Sequence, residues 1–185
     1  MSDVTLLNST GDQSPIQGTS FSNPLPLGVS FKVRTGRDDV YSMHEIYDLQ
    51  IALKKIIRGN DALESVKAQG LTDEKPRIGF DYILAFITIT YSRRGKGQGN
   101  ATYSLMEKQL STYSCLKEAE YTLPNVLHQP EPQLFGHVFH IGESYEGCVL
   151  LEVPTDDEKP LLLFKRDSSM GGLTGKWGNI WFQLG

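Results

Sequence analysis

A few residue types in this sequence could hold a metal or carry a redox step, and their spacing argues against both. His137 and His140 lie three positions apart, so in a strand they point to opposite faces and cannot bind the same ion. Cys115 and Cys148 have no second cysteine at metal-binding spacing. Their small number is typical of reduced thiols, and a single disulfide between them is the alternative. We therefore expect neither a metal nor a cofactor.

Nucleophilic catalysis and nucleotide binding lack their sequence signatures. No GxSxG elbow is present. Residues 169–176 resemble a phosphate-binding loop, but Met170 replaces its first glycine and Trp177 its Ser/Thr. The glycine-rich loop 92–100 lacks the Lys-Ser/Thr ending, and Asn100 replaces the last glycine of a dinucleotide fingerprint. The sequence therefore predicts a protein that is not an enzyme.

Basic residues are the more informative group. Loop 92–100 carries Arg93, Arg94 and Lys96 among glycines, which favours contact with a nucleic-acid backbone or anionic lipid. The 185-residue chain has a net charge of −4, yet residues 29–117 carry 14 basic and 10 acidic side chains, whereas residues 118–164 carry 1 and 9. This asymmetry suits an anionic surface and head-to-tail contact between copies. A purely solvated charge distribution is the open alternative.

The N-terminal residues 1–28 predict a disordered arm ahead of a globular domain over 29–185. The arm ends in a stiff, extended segment in which proline and leucine alternate. We interpret this segment as a docking peptide for a neighbouring subunit, with a plain linker as the alternative. The docking residues are Phe21, Pro24, Leu25, Pro26 and Leu27.

Several elements follow from hydrophobic spacing. Alternation predicts a strand over 29–34, with Lys32 and Arg34 on its wet face. A capping box at Ser42 and apolar residues at helical spacing predict a helix that ends at Gly59, and a second short helix is expected over 62–69. Residues 78–91 predict a central strand covered on both faces. Further strands are expected over 112–121, 137–141, 145–153, 161–166 and 177–184.

Taken in order, several short segments resemble the matrix proteins of rhabdoviruses. The resemblance covers about residues 29–185. Its segments are Ser30–Arg34, Tyr41-Ser42 leading into the first helix, Tyr82–Phe86, Tyr121–Pro124, Phe139–Gly142, Tyr145–Gly147 and Gly175–Trp177.

This resemblance implies an α+β fold: a single domain in which a twisted antiparallel β-sheet packs against helices, with a mobile N-terminal arm. It implies a structural protein that polymerises head to tail, condenses the viral ribonucleoprotein and links it to the envelope membrane during budding. Its partners would be itself, the viral nucleocapsid and RNA, an anionic membrane, the viral glycoprotein and host factors. It would reside beneath the virion envelope and in the host cytoplasm, at host membranes or in the nucleus.

The expected membrane or ribonucleoprotein contacts are basic side chains on the first strand, at the end of the first helix and in loop 92–100. They are Lys32, Arg34, Arg37, Lys54, Lys55, Arg58, Arg93, Arg94 and Lys96. Residues 1–28 lack the lysine-rich segment and the PPxY or PTAP motif of many such proteins, which favours a plant-infecting member. The alternative function is a monomeric α+β module that binds RNA or a small ligand with the same basic face.

Overall fold

A computed structural model describes residues 16–38, 44–71, 75–94, 102–126, 128–166 and 179–185. Strands dominate this part of the chain, with one α-helix and one short 3-10 turn at Glu107–Gln109. In chain order the elements are β1 (Ser30–Asp38), β2 (His44–Arg58), α1 (Asn60–Ala68), β3 (Phe80–Arg94), β4 (Thr102–Tyr103), β5 (Leu110–Ser114), β6 (Ala119–Tyr121), β7 (Phe139–His140), β8 (Ser144–Pro154), β9 (Leu161–Phe164) and β10 (Ile180–Gln183).

Two four-stranded antiparallel sheets form the body of the protein. The first has the order β1-β2-β3-β8 and the second β10-β9-β5-β6, while β4 and β7 form a small pair. The main core combines side chains from both sheets, such as Ile51 and Leu151 from the first and Phe164 and Phe182 from the second. The protein is therefore a β-sandwich. The predicted α+β class, with a sheet packed against helices, is wrong.

The predicted first helix is strand β2, and a β-bulge explains the error. Leu49, Ile51 and Leu53 alternate toward the main core, as a strand requires. The register with β3 then shifts between Leu53 and Lys55, so that Ile56 also packs against this core. Leu49, Leu53 and Ile56 thus recur at intervals of four and three, which imitates one face of a helix.

The short helix predicted over 62–69 is confirmed as α1, and it lies on the outer face of the first sheet. Its buried residues Ala62 and Val66 form a second cluster with Tyr82 and Leu84 of β3 and with residues of β8. The two-sided burial predicted for β3 is therefore confirmed for its first half only. In the second half the outward residues, such as Thr88, are polar and partly exposed.

The later strands broadly match expectation. Strands β7, β8 and β9 lie in the three ranges predicted for them. The single strand predicted over 112–121 is instead a hairpin, in which β5, starting at Leu110, pairs with β6. The last strand is β10, and Trp177 lies outside the described residues.

The outer edge of β8 is covered by an irregular, proline-containing segment. Gln133 makes a parallel bridge with Cys148, whose backbone N–H donates to the carbonyl oxygen of Pro132 at 2.6 Å. This close approach depends on Gly147, because a Cβ there would lie 2.6 Å from the Cα of Leu134. The chain thus runs against the sheet edge where one side chain is missing.

Residues 16–28, the described part of the predicted arm, lie against the second sheet. Leu25 is buried in the main core and makes a parallel bridge with Phe182 of β10. The backbone N–H of Gly28 then donates to the carbonyl oxygen of Leu53, just before β1 begins. The segment therefore passes from the edge of one sheet to the edge of the other.

Candidate functional site

The uncovered half of the first sheet's outer face carries basic residues in register across neighbouring strands. One cross-strand row contains Arg34, Asp48 and Arg93. The next rows contain Lys32 with Gln50, Thr90 and Ser144, then Ser30 with Ala52, Thr88 and Glu146, and finally Lys55 with Phe86 and Cys148. Lys54 is exposed at the bulge beside the last row. We call this surface, with Lys32, Arg34, Lys54 and Lys55 as its basic members, the basic face.

The basic face is about 20 Å long and about 14 Å wide, from the rise of a strand and the spacing between strands. The described side chains of its rows, together with Lys54, include four basic and two acidic ones. Helix α1 covers the next row, Ile57 with Leu84 and Leu150, and closes the lower end. Because a helix is about 10 Å thick, α1 forms a step above the face.

The cations of the basic face differ in how firmly they are held. Nε and Nη2 of Arg34 donate to the two carboxylate oxygens of Asp48 at 2.7 and 3.1 Å, and this pair raises the pKa of Arg34. Nζ of Lys55 lies 5.4 Å from the centre of the Phe86 ring. Lys32 and Lys54 are exposed and make no ion pair within the described ranges. These two lysines are the ones most available to a ligand.

For three other predicted contact residues the structure gives the backbone register alone. Arg37 lies in β1 opposite Glu45, and in β3 Arg93 and Arg94 lie opposite Asp48 and Tyr47. Lys96 lies outside the described residues. Four of the nine predicted members therefore share the basic face.

Arg58 has a structural environment instead. Its guanidinium forms an ion pair with Asp81 at 3.4 Å and donates to the carbonyl oxygens of Asp157 at 2.7 Å and Pro154 at 3.1 Å. These bonds hold the turn between β8 and β9 against the end of β2. The guanidinium of Arg58 therefore stabilises the fold and is not available to a ligand.

The predicted docking residues of the arm contact the same chain. The Phe21 ring lies 6.0 Å from Trp181 and 6.2 Å from Tyr113, between ring centres. Pro24 lines a cleft of about 500 Å³, Leu25 is buried, and Pro26 accepts a hydrogen bond from the backbone of Val29. Leu27 remains about half exposed. Docking of this segment on a second copy stays a prediction.

His140 lies in β7 but His137 lies outside any strand, so the prediction that they point to opposite faces of one strand does not apply. Nε2 of His137 lies 2.8 Å from a carboxylate oxygen of Glu143, and the other oxygen accepts the backbone N–H of His140. These contacts lower the pKa of Glu143. Cys115 and Cys148 are free thiols, so the alternative of a bridge is wrong. Across the described ranges, no three His, Cys, Asp or Glu side chains are placed to hold a metal.

An ion pair between the buried Glu152 and the exposed Arg77 was missed by the sequence analysis. Glu152 is only 3% exposed, accepts a hydrogen bond from the backbone of Arg77 at 3.0 Å and pairs with its guanidinium. Both residues line a cleft of about 330 Å³ with Lys75 and Asn125. The available signal was a single carboxylate within the apolar run of β8.

Comparison with known proteins supports the fold and goes no further. No family model matches the sequence, and no curated protein matches it. The solved structure of the yjhA protein from Bacillus subtilis is similar, with a TM-score of 0.50 and 11% sequence identity. The match covers 87% of this chain and 99% of that one. In the described ranges no helix has the length and apolarity to cross a bilayer.

Proposed function

We propose that this protein is a non-catalytic binding module whose basic face contacts the phosphate backbone of single-stranded nucleic acid. The observation that carries the proposal is the alignment of Lys32, Lys54 and Lys55 with Arg34 on one sheet face. Cations at such spacing neutralise successive phosphates and release their counterions.

The shape of the basic face fits a single polyanionic strand better than a flat membrane. Helix α1 rises from the same side of the sheet as the lysines, so a flat bilayer resting on the helix would be held away from the floor. A single polyanionic strand can lie beside the helix and reach the lysines. We therefore prefer nucleic acid to an anionic membrane as the partner.

The side chains of the basic face favour contact with phosphates and not recognition of bases. Its only ring is Phe86, which is partly buried and lies near Lys55. Single-strand binders that hold bases use exposed aromatic rings as stacking platforms. The face instead offers the amide of Gln50, which donates one N–H to Ser30 and keeps the second for a phosphate oxygen. The hydroxyls of Thr88 and Thr90 already donate to Glu146 and Ser144. We expect binding to be weak and insensitive to sequence.

The charge count sets the expected strength. Asp48 and Glu146 offset two of the four basic residues, which leaves about two phosphates neutralised. At about 0.7 per phosphate for a single strand, the logarithm of the binding constant should fall with the logarithm of salt with a slope of about −1.4. Several copies would be needed on one strand for firm attachment.

The test uses fluorescence anisotropy with a mixed-sequence 20-nucleotide RNA at several salt concentrations. The double variant Lys32→Ser/Lys54→Ser removes the two lysines without ion pairs. We expect it to bind roughly tenfold more weakly at low salt and to lose about 1.4 from the salt slope.

The matched control is Lys75→Ser/Lys159→Ser, which removes the same charge at exposed positions away from the basic face. It should bind nearly as well as the unchanged protein. If both variants lost the same amount of RNA affinity, the effect would come from net charge alone, and the basic face would be rejected as the binding site. Binding to phosphatidylserine vesicles but not to RNA would favour the membrane instead.

The viral matrix role remains a prediction of which nucleic-acid contact would be one part. The α+β architecture that the resemblance implied is not the one observed, so the resemblance adds no support to this role. Self-association, ribonucleoprotein condensation and budding each need their own test.

A further inference from the structure

The outer face of the second sheet is unusually apolar. In β9, Leu162 and Phe164 point into the main core, so Leu161 and Leu163 lie on the opposite side. Both are nevertheless buried, and the register places Trp181 beside Leu163 and Tyr113 beside Leu161. The Phe21 ring packs on Trp181 and Tyr113. The N-terminal segment thus covers an apolar face whose exposure to water would cost free energy.

The same segment is bound along the edge of β10 by a few specific contacts. Leu25 donates to the carbonyl oxygen of Trp181 at 2.8 Å and accepts from the N–H of Gln183 at 2.9 Å, and Trp181 donates to Gly18 at 2.8 Å. The Leu25 side chain fills the core, against a Gly18 that leaves no room for a Cβ. This is edge pairing with one anchoring side chain, the arrangement by which separate peptides bind sheets.

A tight turn joins the segment to β1. The backbone N–H of Val29 donates to the carbonyl oxygen of Pro26 at 3.3 Å, and Gly28 has a φ of +83°. Within the same turn, the backbone N–H of Gly28 donates to the carbonyl oxygen of Leu53 in β2. The turn is therefore a hinge: if it extends, residues 16–25 leave their own groove while β1 stays in place.

We propose that the groove on β10 also accepts the N-terminal segment of a second copy, so that two chains exchange residues 16–25 reciprocally. Every contact of Leu25 and Phe21 would be remade in the partner, and only the hinge conformation would differ. Such an exchange is a low-cost route to a dimer. Pro26 keeps its own φ in both arrangements, so the change is confined to Leu27 and Gly28. The exchange does not depend on nucleic-acid binding.

The first experiment alters the hinge in the full-length protein. Gly28→Val places a β-branched residue at a positive φ, where a Cβ meets no atom within 4 Å, so the strain is purely local. Extension of the hinge relieves this strain in both chains of a dimer. We expect the dimerisation constant to rise roughly a hundredfold, about tenfold for each hinge, in sedimentation velocity after refolding at high concentration.

Gly136→Val is the matched control, since Gly136 has the same φ of +83° and equally open surroundings but lies far from the hinge in sequence. It should lose similar stability and dimerise no more than the unchanged protein. If Gly28→Val does not fold, as judged by circular dichroism, Gly28→Ala supplies a milder version of the same strain.

The second experiment shows which chain fills the groove. Pro24 lines the same cleft as the exposed Cys115, whereas Cys148 is buried. In a Pro24→Cys background, a short bismaleimide should join the thiol at position 24 to Cys115. In the dimer fraction this link should connect two chains, giving a covalent dimer on a denaturing gel that Cys115→Ser abolishes.

Two results would overturn the exchange. A Gly28→Val protein that is folded and monomeric at high concentration shows that the hinge does not extend. A dimer fraction in which every cross-link stays within one chain shows that the copies meet elsewhere.

Discussion

At the residue scale, the two thiols illustrate how surroundings decide reactivity. Cys148 is buried between the first sheet and α1, and burial raises its pKa to about 12. Cys115 is exposed, yet partial burial of its sulfur and the nearby charge of Asp157 raise its pKa as well. A reactive cysteine needs a lowered pKa, so neither thiol is an activated nucleophile.

Burial of Cys148 makes stability fall at alkaline pH. Its folded pKa of about 12 lies above the ordinary 9.0, so above pH 9 the thiol ionises only in the unfolded chain. The unfolded state then binds fewer protons, and the free energy of unfolding should fall by about 1.4 kcal/mol per pH unit from this group. Urea unfolding of the unchanged protein and Cys148→Ala between pH 8 and 10.5 should give a shallower slope for the variant. Parallel slopes would show that the thiol is not shielded.

Residue types in the sequence predicted some environments better than others. Alternation along β1 correctly placed Lys32 and Arg34 on the wet face, because side-chain direction in a strand follows parity. The environment of Arg58 could not be predicted. Its acceptors lie about 100 residues away, and no local pattern encodes a hydrogen bond to a backbone carbonyl.

At the element scale, Arg58 links three strands. It lies at the end of β2, pairs with Asp81 in β3 and donates to carbonyl groups around the turn after β8. Each carbonyl acceptor would be left without this charged donor if the side chain were removed. The guanidinium is therefore expected to contribute to the closure of this end of the sandwich.

We expect Arg58→Ala to lower the free energy of unfolding by about 2–3 kcal/mol, the usual range for hydrogen bonds to a charged group. The control is Lys54→Ala, an exposed basic residue of the same strand, which should change stability by less than about 0.5 kcal/mol. Urea titrations compare the two. If both variants lose the same small amount, the Arg58 contacts do not stabilise the turn.

Among the elements, strands were predicted well and β2 was not. Strands β3, β8 and β9 are uniformly apolar or strictly alternating, and short-range patterns suffice for them. In β2 the bulge after Leu53 changes the parity of the strand, and the resulting spacing matches a helix equally well. Only the pairing of β2 with both β1 and β3 decides between them, and that pairing is a long-range property.

At the scale of the whole molecule, the sequence predicted the positions of several strands better than their arrangement. Which strands share a sheet depends on contacts between distant segments, and the assignment of residues 44–58 to a helix removed the strand between β1 and β3. The basic face was predicted incompletely for the same reason. Lys32 and Arg34 were predicted on a sheet, but Lys54 and Lys55 join them only because β2 is a strand.

The covered edge of β8 also concerns how the protein behaves in crowded solution. Strand β8 is long and apolar, and a bare edge of that kind is a template for fibril growth. The segment through Pro132 and Leu134 blocks it, and Gly147 is what allows that segment to lie so close.

Gly147→Ala should push this segment away and expose the edge, so we expect faster growth of thioflavin-positive fibrils under gentle agitation. Gly70→Ala, which adds a methyl at a positive φ without a clash, is the control and should remain clear. Equal lag times would mean that the edge stays blocked despite the added methyl. A single absent side chain would then have no part in keeping this protein in solution.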